Sequence, residues 1–266
     1  MTIICRYGEI FLKGLNRPQF ERALVTQIKR KLGSGTVRSV RNRIFVDGCD
    51  AQKLQTVFGL SSLSSAIAVP IELDEIAKAA LSLLLERKFT TFCIAAQRIT
   101  KTGGYSSAEL NIAIGDAIRK ATNGTVNLDN PDVTIGIEII NDTAYVFTER
   151  LTGPGGLPVG VSGMVTVWMD DPYAELAALL MCKRGCTVRG AGTVQRKFPI
   201  LSRYISDFDY AAAPLESFPL IVRGTLDAQI GHSDAAKCFN TPALYPLIGM
   251  TADDADERLS YYAHLY

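Results

Sequence analysis

The spacing of hydrophobic positions changes several times along the chain, and each change marks an element. Ile3–Arg6 reads as a short strand. Phe20, Leu24, Ile28 and Leu32 then recur at near-helical spacing, with Arg22, Lys29 and Arg30 off that stripe, which predicts an amphipathic helix. Asn16-Arg-Pro-Gln19 reads as its start, with Asn16 as cap, Pro18 in the first turn and Gln19 at the reciprocal capping position. Two β-rich runs, Thr36–Val40 and Arg43–Val46, flank Arg41-Asn42, and Asp50–Phe58 reads as helical. Strand, helix, two strands and helix make a small α+β unit of ferredoxin-like type over residues 1–58.

Residues 59–152 form a second unit with the same mixture. Ser62–Val69 is β-leaning, Asp74–Arg87 is helical and Thr90–Ala96 is a strand. The polar loop from Gln97 ends at Ser106-Ser-Ala-Glu109, a capping box that opens a helix with Leu110, Ile114, Ala117, Ile118 and Ala121 on its core face. Val133–Ile139 and Thr143–Thr148 are strands around a predicted hairpin turn at Asn141-Asp142.

A Gly/Pro-rich linker, residues 153–162, leads into an α/β segment over 163–266. Its strand Met164–Trp168 runs through an abrupt turn into a helix, Pro172–Arg184, closed by Gly185. A strand at 186–188, a strand at Phe218–Val222 and a terminal helix at Asp253–His264 follow. Strand, turn and helix is the usual frame of a phosphate cradle, which needs small residues so that backbone N–H groups can reach an anion. Here the turn reads Met169-Asp170-Asp171-Pro172, with no glycine, two carboxylates and a proline that lacks an N–H. A carboxylate about 4 Å from a phosphate oxygen costs on the order of 4 kcal/mol at an effective dielectric near 20. Asp171, as N-cap before Pro172, is expected to take the helix N–H groups that an anion would use. Two adjacent carboxylates without a third ligand make a poor metal site, so no metal and no cofactor is expected.

Composition adds a compartment and a partner class. The chain has 266 residues, enough for two or three small domains, with 47% hydrophobic and 21% charged residues. No uncharged apolar run approaches a membrane span, the first residues lack a signal-peptide core, and six scattered cysteines suit a reducing compartment. A cytoplasmic protein without a membrane partner is expected. Cys182 and Cys186, four apart, read as buried thiols rather than zinc ligands, and Cys238 beside Lys237 is a candidate reactive thiol. Net charge is +1, yet residues 1–50 hold ten Lys/Arg against four Asp/Glu. Such a basic end either docks a polyanion or forms a solvated face. Lys13, Arg17, Arg22, Arg38, Arg41, Arg43, Arg98 and Lys101 are the candidate phosphate ligands, and Tyr7, Phe11 and Tyr105 either stack on bases or pack in cores.

Taken in order, several segments resemble the tRNA 4-thiouridine synthetase (tRNA sulfurtransferase) family. They are Arg6–Gly14 with Asn16–Phe20, Arg43–Val46, Val57–Ser61, Asn130–Ile135, Ala144–Arg150, Gly153–Gly160 and Met181–Cys186. The resemblance implies a ferredoxin-like domain, a THUMP domain over 59–152, and a truncated, Rossmann-like PP-loop domain over 163–266. In that family the first two parts grip the acceptor stem and 3′ end of tRNA, and the third adenylates uridine with ATP. The family's THUMP loop falls on Gln97–Glu109, where Arg98, Lys101, Ser107 and Glu109 match it. With Lys13, Arg17, Arg41 and Arg43 these are the RNA-binding residues that the resemblance implies. The PP-loop signature falls on Met169, Asp170, Asp171, Pro172, Tyr173 and Ala174 and matches at none of its specified positions. Gly224–Gln229 matches the second PP-loop segment only at its ends, and Leu244–Met250 carries Tyr245 where the family has arginine. The sequence ends at Tyr266, before the region where the family places its catalytic cysteine. Three readings stand open: a tRNA-binding pseudoenzyme that presents RNA to a separate PP-loop partner, an active sulfurtransferase using an unconventional site or a partner subunit, and a dimeric scaffold without RNA. A homodimer is compatible with the first as well.

Overall fold

The structure, a computed structural model, describes residues 1–85, 87–100, 104–193, 197–206, 208–226 and 242–265. Its helices are α1 (Arg17–Leu32), α2 (Leu73–Leu84), α3 (Ser107–Ala121), α4 (Ala174–Lys183), α5 (Leu201–Tyr204) and α6 (Ala252–His264). Its strands begin with β1 (Thr2–Arg6), β2 (Thr36–Val40), β3 (Arg43–Asp47), β4 (Ser62–Pro70) and β5 (Thr91–Arg98). They continue with β6 (Thr125–Val126), β7 (Val133–Ile140), β8 (Thr143–Phe147), β9 (Leu151–Thr152) and β10 (Met164–Trp168). The last are β11 (Thr187–Gly192), β12 (Tyr210–Ala212), β13 (Ile221–Arg223) and β14 (Ala243–Leu244). No helix among the described residues is long and apolar enough to cross a membrane.

Two compact units divide the chain. The first comprises Met1–Arg6, Ser34–Ala51 and Ser62–Leu151. Its sheet runs β2-β3-β1-β4-β8-β7-β5-β6, with β9 on β4. Strand β7 shows why one face is covered. Val133, Ile135, Ile137 and Ile139 alternate along it and pack with Ile76 of α2 and Leu110, Ile114 and Ile118 of α3. The capping box opens α3 as expected: Ser106 Oγ accepts from the Glu109 N–H at 3.2 Å, and Glu109 accepts from the Ser106 N–H at 2.7 Å. Between β2 and β3, Arg41 and Asn42 both have positive φ, 45° and 68°, which a two-residue hairpin turn of matching twist requires.

The second unit comprises Tyr7–Gly33, Gln52–Ser61 and Thr152–Tyr266. Helix α1 forms with Leu24 and Ile28 of the expected stripe buried. Asn16 does not cap it with its side chain. A 3₁₀ segment, Glu9–Asn16, precedes the helix, and Asn16 itself is near-helical (φ −81°, ψ −9°), so the extended geometry that a side-chain cap needs is absent. Of the helix expected over Asp50–Phe58, only a 3₁₀ turn at Ala51–Leu54 forms. The five-stranded sheet is wholly parallel in the order β12-β11-β10-β13-β14. Helix α4 is buried nearly all round, from Ala174 and Leu176 through Cys182, in a core with Val167, Val188, Val222, Leu247 and Tyr262.

Candidate functional site

In an open parallel sheet, ligands bind outside the carboxyl ends of the strands, where the order of strands reverses. From β10 the chain adds β11 and β12 on one side, then returns to add β13 and β14 on the other. The reversal therefore lies between β10 and β13. The turn Met169–Ala174 leaves β10 there, and Arg223 and Gly224 end β13 there.

That position is filled by the protein itself. Asp171 is buried and accepts from Arg223 Nε at 2.7 Å and Nη2 at 2.8 Å, a bidentate ion pair. It also accepts from the Gly224 N–H at 2.8 Å. The expected cap is thus corrected: Asp171 serves β13 rather than the helix, and α4 starts at Ala174 with Tyr173 at its N-cap and no side-chain cap. Asp170 holds the other side, accepting from the Thr193 N–H at 2.8 Å and the Thr193 hydroxyl at 2.6 Å beyond β11. The two strand ends approach closely. Tyr173 N–H donates to the Gly224 carbonyl at 2.9 Å, and a Cβ on Gly224 would fall 2.3 Å from the Ala174 nitrogen, so only glycine fits. Met169 is buried, while Pro172 is exposed. Gly224 N–H, a donor of the type a phosphate needs, is already engaged. Among the described residues no three metal-ligating side chains come together.

The candidate RNA-binding residues differ in exposure and in what they hold. Arg41 is exposed at the tip of its hairpin, and Lys13 is half-buried with Nζ 5.2 Å from the Phe20 ring centre. Arg98, at the end of β5, and Ser107, first in α3, are both half-buried. Glu109, exposed, has its carboxyl held below the usual range by the backbone N–H and hydroxyl of Ser106 and, to a lesser extent, by the charge of Arg98. Lys101 lies outside the described residues, as does Cys238. Arg17 is committed elsewhere: Nε is 2.7 Å from Glu21, Nη2 is 3.1 Å from the Tyr7 hydroxyl, and the guanidinium lies 4.7 Å over the Phe11 ring. Tyr7 is buried and also hydrogen-bonds Glu21, and burial first and that bond second push its hydroxyl up to about 12.

Arg43 is not a surface cation. It is buried, with Nε 2.7 Å from Glu138 Oε2, and Arg6 Nε is 2.6 Å from Glu138 Oε1. Arg6 also donates to Ser64 Oγ at 3.0 Å. A buried carboxylate therefore joins two guanidiniums. Burial alone would raise the Glu138 carboxyl, but the Arg43 hydrogen bond and both positive charges outweigh it and hold it below its usual range. Glu138 was not legible in the sequence: alternation sets it with Thr134 and Gly136 on the strand face opposite Val133, Ile135, Ile137 and Ile139, where a charged residue is ordinary, and only its burial calls for partners. Beside it opens a cavity of about 370 Å³ lined by Gln97, Thr134, Gly136, Phe147 and Arg150 among others.

Comparison with known proteins places these parts. Residues 2–64 match the ThiI ferredoxin-like domain and residues 71–149 match the THUMP domain. The probable tRNA sulfurtransferase of Moorella thermoacetica is 38% identical over 197 residues, covering 69% of this chain and 50% of that protein. The Geobacillus sp. relative of the same name is 36% identical over 202 residues, covering 70% and 50%. The chain thus spans about half the length of the curated relatives it matches. PH1313 from Pyrococcus horikoshii superposes with a TM-score of 0.84 at 27% identity, over 98% of this chain and 99% of that one. A 4-thiouridine synthetase solved with RNA and bound ATP shares the fold, with a TM-score of 0.80 at 21% identity over 100% and 85% of the two chains. With its ferredoxin-like and THUMP parts in this order, the chain belongs to the tRNA sulfurtransferase (4-thiouridine synthetase) family.

Proposed function

We propose that this chain is a tRNA-binding member of its family that does not adenylate RNA at residues 169–174. Its ferredoxin-like and THUMP modules dock the acceptor stem and 3′ end, and a separate PP-loop protein supplies the ATP and sulfur chemistry. Lys13, Arg41, Arg98, Lys101 and Ser107 are the contacts to RNA phosphate and sugar, which position the RNA without reading its sequence. Arg17 and Arg43 act indirectly, by holding Tyr7 and Glu138.

The observation that carries the reading is the Asp171–Arg223 pair at the strand-order reversal. Charge repulsion alone is a weaker reason than the bare sequence suggests, because Arg223 offsets one of the two carboxylates. Occupancy is the stronger reason. Asp171 takes the Gly224 N–H, and the turn is drawn against the end of β13 where a phosphate would need space.

Thermal shift and filter binding test both halves. A ligand at a hundred times its Kd stabilises a protein by about 2.7 kcal/mol, roughly 5–11 °C at the 2–4 °C per kcal/mol of a domain of this size class. Millimolar ATP with magnesium is expected to give no shift, and a clear one refutes the closed site. Binding of tRNA is expected to weaken steeply with salt. Arg98→Ala and Arg41→Ala are each expected to weaken it, and no binding at low salt refutes the RNA reading.

A further inference from the structure

A cavity of about 500 Å³ opens between the C-terminal end of α4 and one face of α6. That volume is in the range of small-molecule sites. Helix α4 begins where the turn Met169–Ala174 ends, and Lys183 is its last residue, so the cavity lies about 14 Å along the helix from the strand-order reversal. Its walls are held in place. The Lys183 carbonyl accepts from the Leu157 N–H at 2.9 Å, and the Lys183 stem lies against Gly156, where a Cβ would fall 2.6 Å from Lys183 Cγ. On α6, the capping box of Thr251 and Asp254 fixes the first turn. The Tyr262 ring centre is 5.6 Å from that of Tyr204 and 5.4 Å from that of Tyr261. The Tyr204 hydroxyl also donates to the Tyr262 carbonyl at 2.8 Å.

The charges on these walls do not satisfy one another. Arg258 stands one turn after Asp254, a spacing that favours an ion pair, yet no pair forms. Asp254 is turned back to Thr251 instead, accepting from its N–H at 3.0 Å and its hydroxyl at 2.7 Å. Among the described residues, the side chains of Lys183, Glu257 and Arg258 make no hydrogen bond or ion pair. Tyr262 lines the cavity although it is only 1% exposed, and its hydroxyl has no hydrogen-bond partner among the described residues. Burial first, then Tyr261, push that hydroxyl up to about 12 while the Arg258 charge opposes them, so it stays protonated and can donate. A buried hydroxyl left without a partner costs free energy that a ligand would recover. Tyr261, 44% exposed, adds aromatic surface. Lys183 and Arg258 balance Asp254 and Glu257, so the ligand that fits bears both signs itself. A polyphosphate would meet two carboxylates, and a simple ammonium two cations. We propose that this cavity binds a small zwitterion of the amino-acid or dipeptide class. Its carboxylate meets Lys183, Arg258 and the Tyr262 hydroxyl, its ammonium faces Glu257, and an aromatic side chain packs on Tyr261. Binding there requires no RNA.

The probe is glycylphenylalanine, set beside its N-acetyl form, which lacks the ammonium, and its amide, which lacks the carboxylate. Titrations on the full chain are followed by ligand-observed saturation-transfer NMR. The free dipeptide is expected to bind at millimolar concentration, and each blocked form about tenfold more weakly, since a charge-assisted contact is lost. Arg258→Ala is expected to weaken the free dipeptide and the acetyl form about tenfold and to leave the amide no weaker. Glu257→Gln is expected to do the converse, weakening the free dipeptide and the amide but not the acetyl form. Tyr262→Phe keeps the ring and removes only the hydroxyl, and is expected to weaken the free dipeptide about threefold. Arg258 and Glu257 are exposed, so both variants should melt with the parent. No saturation transfer to the dipeptide at millimolar concentration overturns the proposal, and so does equal binding of the three forms. Binding that Arg258→Ala and Glu257→Gln leave unaltered places the dipeptide elsewhere and also overturns it. An acetyl form that binds as tightly as the free dipeptide and is displaced by inorganic phosphate makes this a simple anion site, which overturns the zwitterion.

Discussion

Asp171→Ala removes three accepted hydrogen bonds at one point: two from Arg223, at 2.7 and 2.8 Å, and one from the Gly224 N–H at 2.8 Å. The side chains are 6% and 13% exposed, so solvent replaces little of what is lost. Breaking a buried pair from one side costs about 3–5 kcal/mol; the partial exposure of Arg223 argues for the lower end, about 3 kcal/mol. Arg223→Ala leaves the carboxylate with the Gly224 N–H and is expected to cost about as much. Because one interaction is deleted twice, the double variant should cost well under the sum, with a coupling of about 2 kcal/mol. Trp168, the chain's single tryptophan, ends β10 immediately before the turn, so its fluorescence reports on this sheet during urea unfolding. With a slope of about 2 kcal/mol per molar urea, each single variant lowers the midpoint by about 1.5 M. A coupling below about 0.5 kcal/mol would show that the pair does not hold the turn closed. ATP affinity is not expected to return in either variant, because Pro172 and the missing glycines still deny a phosphate its donors.

Glu138→Gln leaves Arg6 and Arg43 buried around a neutral acceptor and is expected to cost about 3 kcal/mol near neutral pH. The folded-state carboxyl is held below its ordinary value of 4.5, so its contribution is present above that value and lost as pH falls beneath it. Circular-dichroism melts of the variant should therefore lose less stability than the parent between about pH 5 and pH 3, and parallel curves refute the assignment. Gly136→Ala places a Cβ 2.2 Å from the Phe147 ring and should destabilise by about 1–3 kcal/mol in denaturant titration, unless that ring turns aside freely. Burial, then the neighbouring Cys186, push the Cys182 thiol up. Peptide mapping after iodoacetamide treatment should find Cys182 alkylated only in unfolded protein, and rapid native labelling contradicts its burial.

What the sequence determined by itself is local. Apolar spacing placed α1, α3 and β10, and the Ser106–Glu109 box opened α3, because helix and cap rules act over three or four residues. The same locality misled where context intervened. Asn16 was denied its capping geometry by the 3₁₀ segment before it. That the turn Met169–Ala174 carries two carboxylates and no glycine was legible from residue types alone. Its physical form was not. The partners that close it, Asp171 and Arg223, stand 52 positions apart, and Arg6 and Arg43 reach Glu138 across 132 and 95. Nothing within one element's reach says whether an arginine meets solvent, a phosphate or a buried carboxylate. Only the order in which strands assemble decides that, by setting which chain ends share a sheet edge and which charges must leave water together.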